Sequence, residues 1–176
     1  MADRTRNTNK ISIVTVLVWV MILITVHVSG EIPSIKLENP QIGSMTGLLG
    51  QSISADGDIL AIGAPGSSNG AGLVRVYTCD ESFWRLSTEV VPADPADNDL
   101  FGQSVAISDS TMLVGAYKGD DGGLDSGSAY VFVRSGENWI QQAKLKADDA
   151  AAGDYFGYRV ALSGDTAVVA APWDDG

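Results

Sequence analysis

The feature that most limits what this chain can become is a pattern that occurs three times. Leu48 to Gly70 reads LLGQSISADGDILAIGAPGSSNG, Phe101 to Gly123 reads FGQSVAISDSTMLVGAYKGDDGG, and Tyr155 to Gly176 reads YFGYRVALSGDTAVVAAPWDDG. Each stretch sets a large apolar residue before a glycine, passes through two short apolar runs and ends in Gly, Asp or Ser. The step from Gly50 to Gly63, from Gly102 to Gly115 and from Gly157 to Ala170 is 13 residues every time. Trp84 and Trp139 stand 12 residues after Gly72 and Gly127, and 17 before Phe101 and Phe156. The period is 52 residues for the first unit and 55 for the second, the extra three lying in an acidic loop after Gly115-Ala116-Tyr117. Self-similarity at this length marks propeller blades or solenoid turns.

Within each unit the pattern alternates as strands do. Two apolar runs flank Asp56-Gly57 in the first unit, Ser108-Asp109 in the second and Ser163-Gly164 in the third. Such pairs tolerate the positive φ of a hairpin turn. The second run of each hairpin, as in Met112 to Ala116 or Ala167 to Ala171, is apolar on both faces and must be covered on both. Gly72 to Thr78 and Ser128 to Arg134 read as third strands. Phe83 to Val90 and Asn138 to Leu145, each with a Trp near its start, read as fourth strands, the Trp and the repeated Phe packing between neighbouring blades. Four strands per unit make a blade. The expectation is therefore an all-β chain, a partial β-propeller of four-stranded antiparallel blades. It comprises two full repeats and half of a third, over 48–100, 101–155 and 156–176, after an N-terminal apolar helix and a linker over 31–47.

The order Phe-Gly to Gly-Ala-Pro resembles the FG-GAP repeat family, which includes the propeller of integrin α subunits. Gly63-Ala64-Pro65 is intact, Gly115-Ala116-Tyr117 and Ala170-Ala171-Pro172 are variants, and Leu49-Gly50 replaces the first Phe-Gly. Ser126 to Arg134 and Ala161 to Pro172 are similar to the secreted microbial and algal type. The likeness covers Leu48 to Gly176 and implies a non-catalytic module for protein interaction or adhesion, with a protein or glycan ligand. Integrin-type repeats often carry an Asp-x-Asp-x-Asp-Gly-x-x-Asp calcium loop between the two halves of the motif. The 13-residue step is too short for that loop and two strands, and no unit has it. A closed propeller uses typically four to eight blades, so this chain reads as the start of a longer protein or as a truncated gene product.

Residues 1–10 carry Arg4, Arg6 and Lys10 against Asp3, and residues 11–28 are almost wholly apolar. Residues 1–30 thus read as a signal peptide, cleaved after Gly30, or as a signal anchor that keeps residues 11–28 in the membrane. The basic flank places the N-terminus in the cytoplasm and the rest outside it. The location expected is the secretory pathway, extracellular or cell-surface. Past Gly30 the chain keeps 8 basic and 21 acidic residues, a formal charge of −13. Such a surface repels phosphate backbones, which excludes nucleic acid as a partner. Cys79 is the lone cysteine, so no disulfide forms within the chain.

Chemistry has few candidates here. Asp120, Asp121 and Asp125 in one loop and Asp174 and Asp175 in another offer oxygens to a hard cation such as calcium, which takes six to eight of them. Their spacing matches no EF-hand, and the first unit's counterpart, Gly66 to Gly70, has no carboxylate; a solvated turn is the preferred reading, and no cofactor is expected. Asp94, Asp97, Asp99, Asp148, Asp149 and Asp154 lie between repeats and read as turn and cap residues. The sole histidine, His27, falls in the apolar leader, and Gly102-Gln103-Ser104 lacks the rest of a nucleophile elbow. The chain is expected not to be an enzyme. The alternative is an accessory propeller domain of a larger secreted or membrane-anchored enzyme whose chemistry lies beyond Gly176.

Overall fold

The computed structural model describes residues 22–24, 35–37, 47–80 and 83–175. The chain divides into two units, Met1–Gly43 and Ser44–Gly176. In the first, β1 (Ile22–Ile24) pairs antiparallel with β2 (Ile35–Leu37). The expected apolar helix over 11–28 lies outside the described residues except at Ile22–Ile24, and those three are strand rather than helix. Isoleucine is stiff at χ1 and favours the pleated conformation. The expected linker over 31–47 contains β2. Among the described residues no helix is long and apolar enough to cross a membrane.

The second unit is all-β. Strands β3 (Ser52–Asp56), β4 (Ile59–Ala64), β5 (Leu73–Asp80) and β6 (Phe83–Val90) form an antiparallel sheet in that order. Strands β7 (Ser104–Ser108), β8 (Thr111–Ala116), β9 (Ser128–Ser135) and β10 (Asn138–Leu145) form a second sheet of the same order. The third unit supplies a hairpin, β11 (Arg159–Ser163) with β12 (Thr166–Ala170). Both second strands of the full sheets are almost wholly buried, as their two-sided apolar pattern requires. Two antiparallel four-stranded sheets of identical topology are consistent with propeller blades.

The hairpin turns sit one residue later than the sequence suggests. Asp56 pairs with Ile59, Ser108 with Thr111 and Ser163 with Thr166, so the central pairs are Gly57-Asp58, Asp109-Ser110 and Gly164-Asp165. Positive φ falls on the first of each pair, at 57°, 54° and 52°. A two-residue loop with positive φ at its first position alone follows the twist of the flanking strands. Asp56 and Ser108 are thereby freed for another role, accepting bonds from the next unit.

The first strands of successive units lie side by side, β3 against β7 and β7 against β11. Side chains stitch them to backbone. Ser52 Oγ donates to the Gly102 carbonyl at 2.8 Å, and Ser54 Oγ accepts from Ile107 N–H at 3.0 Å. At the next seam Ser104 Oγ accepts from Val160 N–H, and Ser108 Oγ accepts from Gly164 N–H, both at 3.0 Å. Asp56 does for Asp109 N–H at 2.6 Å what Ser108 does for Gly164. The Phe-Gly segment of each unit also bonds to the loop of the unit before. Phe101 N–H donates to the Ala71 carbonyl at 3.2 Å, and Phe156 N–H to the Ser126 carbonyl at 2.9 Å. Behind the first seam lies the core, in which fully buried Phe101 meets Tyr130 and Phe132 edge-on at 5.4 and 5.9 Å. Trp139 packs against this core from its rim.

Candidate interaction site

Where the two seams differ, the repeat has been given up. Around the second seam Tyr117, Tyr155, Tyr158 and Trp173 form a closed ring of edge-to-face contacts. Tyr117 lies 5.4 Å from Tyr155 and 5.2 Å from Tyr158, and Trp173 lies 5.1 and 5.4 Å from the same two. The repeat-equivalent residues at the first seam are Pro65, Leu100, Gln103 and Lys118, none of them aromatic. Tyr117 follows the end of β8, Tyr155 and Tyr158 flank Phe156-Gly157, and Trp173 follows the third unit's Ala-Ala-Pro. Only docking of two units brings them together. Burial raises the Tyr117 hydroxyl above its ordinary range, Lys118 opposing.

Trp173 remains 57% exposed. Its counterpart Lys118 lies in the turn after β8 of a complete four-stranded sheet and is itself partly solvent-accessible, so this position is not covered where the sheet is complete. Beside the ring, the Arg159 guanidinium stacks over Tyr158 at 4.8 Å. Exposed Trp supported by Tyr and Arg has the composition of a protein-binding hot spot. Tyr155 also holds a φ of 57°, as Leu48 and Leu100 hold 47° and 58°. Recurrence in all three units makes that conformation part of the seam rather than of the site.

A second polar cluster centres on Lys144. It bonds Asp94 at 2.7 Å, pairs with Asp121 and lies over the Tyr130 ring at 5.3 Å. The equivalent cross-strand pair in the first sheet is Arg75 with Glu89, bonded at 2.8 Å. Burial pulls the Lys144 ammonium down, but its bonds to Asp121, Asp94 and Tyr130 outweigh this and raise it overall. Burial pushes the Tyr130 hydroxyl up to about 12. Hydrogen bonds from Lys144 and Ser128 hold Asp121 below the usual carboxylate range.

The calcium candidates are accounted for by these contacts in part. Asp120 Oδ1 accepts from Asp125 N–H at 2.8 Å, Asp125 pairs with Lys118 at 3.5 Å, and Asp121 is held by Lys144 and Ser128. Asp174 and Asp175 follow Trp173 on the third unit and are exposed. Among the described residues no three acidic, His or Cys side chains are grouped so as to hold a metal ion.

Asp99, read from sequence as a turn residue, is buried, and so is its counterpart Asp154. Burial, countered by Lys144 and reinforced by Asp120, Asp121 and Asp94, raises the Asp99 carboxyl to about 6. A folded-state value above the unfolded one favours the protonated fold. The stability this adds is complete below about pH 4 and is lost as pH rises through about 6. Asp99→Asn is expected to remove that decline and to raise the melting temperature by a few degrees at pH 7, with no gain at pH 4. Melting curves across pH 4–8 check it.

These units form a repeat protein of antiparallel four-stranded sheets, their first strands stitched together by side chains. A family model for the FG-GAP repeat matches residues 84–132 and 139–176. Over these stretches the chain carries FG-GAP repeats. Each match begins at a tryptophan in the outer strand of one sheet, β6 or β10, and runs into the first strands of the next, so the family unit straddles a seam. No curated protein matches the chain.

Proposed function

We propose that the chain is a non-catalytic interaction module made of integrin-α-like propeller blades, exported through its apolar leader and presenting the second seam to a protein partner at the cell surface. The observation that carries this reading is the aromatic ring of Tyr117, Tyr155, Tyr158 and Trp173, present at one seam and absent from its equivalent. A scaffold residue recurs with the repeat, as Gly63 and Gly115 do; a binding residue need occur only once. In this reading the partner is neither nucleic acid nor a metal cofactor, and residues 11–28 contact the membrane where the leader is retained. Adhesion is the role such a surface would serve.

A photo-reactive phenylalanine analogue at position 173 tests it in intact cells producing the full chain, with the same analogue at exposed Phe83 as the control. A discrete protein adduct from position 173 alone is expected. Trp173→Ala should abolish capture by that partner while lowering the melting temperature by no more than a few degrees, since the side chain is mostly exposed. Equal adducts from both positions, none from either, or adducts only inside the cytoplasm would refute the reading.

A further inference from the structure

Both seams close on the same contact. A Cβ on Gly63 would stand 1.9 Å from the Gly102 carbonyl oxygen, and one on Gly115 would stand 1.9 Å from the Gly157 carbonyl oxygen. The cross-strand partners of these glycines are Ser52 and Ser104, whose hydroxyls bond the incoming backbone at 2.8 and 3.0 Å. Docking a unit therefore requires no side chain at one position and a short hydroxyl at the one paired with it.

The third unit meets neither requirement. Its paired positions are Ala170 and Arg159. The equivalence is geometric as well as sequential. Gly157 N–H donates to the Ala170 carbonyl at 3.1 Å, as Gly50 N–H does to Gly63 at 2.9 Å and Gly102 N–H to Gly115 at 3.1 Å. The Ala170 methyl thus occupies the place where an incoming glycine carbonyl would lie. Arg159, exposed, stacks on Tyr158 and donates to the Tyr158 carbonyl at 3.0 Å instead of offering a hydroxyl outward.

We infer that the outward face of the third hairpin is closed to another unit of the same kind in the register of the two seams, whether a following repeat or the first unit of a second copy. Cβ contacts below 3.0 Å are essentially never tolerated, so such a unit must sit at least about 1 Å further back and lose the serine bond. The change interrupts a head-to-tail surface that would otherwise pass from one unit to the next.

Transplanting this face onto the second seam tests the inference in the full chain. In Ser104→Arg/Gly115→Ala, amide exchange across Arg159–Ala170 is expected to accelerate at least tenfold, while β3 to β6 keep their protection. Unchanged protection of β11 and β12 would overturn it. Should β7 and β8 open as well, Gly115→Ala alone must reproduce the selective loss in the third hairpin; a loss spread evenly over all strands would count against the inference.

Discussion

Replacing Phe101 by alanine is expected to lower the unfolding free energy by about 3–5 kcal/mol, the range for emptying a buried aromatic site. The side chain is 0% exposed and touches Tyr130 and Phe132 edge-on, so three rings lose mutual contacts at once. Nothing nearby can fill the space, because Met112, Val114 and Val74 are held on paired strands. Chemical denaturation with Trp fluorescence reads the loss. Phe156→Ala is the internal comparison. Phe156 is only half-buried, so its loss should cost clearly less; equal costs would mean that Phe101 does not anchor the core.

A second large effect is expected at Gly72. Its φ is 83°, and a Cβ there would lie 2.0 Å from the Phe101 carbonyl oxygen and 2.7 Å from the Phe101 nitrogen. Gly72→Ala therefore combines left-handed strain of roughly 1–2 kcal/mol with a backbone clash of about 1–3 kcal/mol. Backbone cannot rotate away as a side-chain tip can. Gly57→Ala separates the two costs, because Gly57 has a φ of 57° with nothing within 4 Å of the added Cβ. It should cost only the strain. Equilibrium unfolding of both variants gives the seam contact as their difference, and equal values would mean that the parallel bridge between Gly72 and Phe101 is not a stabilising contact.

Much of the fold was legible because strands announce themselves locally. Phe83–Val90 and Asn138–Leu145 appear in the structure with the bounds their alternation suggested, and β4 and β8 are buried as two-sided apolar runs must be. The turns were misplaced by one residue. Asp-Gly is a strong turn pair, but cross-strand pairing of Asp56 with Ile59 decides which residue takes the left-handed conformation.

The sites were less legible. Tyr117 and Trp173 are 56 residues apart in sequence, and no local pattern says that two loops from different units will meet. One signal was available: aligning the units shows Pro65, Leu100, Gln103 and Lys118 replaced by aromatics together. Asp99 gave no warning at all, because Lys144, Asp120 and Asp121, whose charges act on its carboxyl, lie far from it in the chain.

By itself, then, the sequence determined the repeat and its four strands, since hydrophobic alternation and turn residues are local demands on the backbone. Tertiary structure alone decided what those units do to one another. A carbonyl set against Gly115, a lysine shared by two aspartates and a ring of four aromatics are contacts between surfaces, and they exist only once separate units have docked.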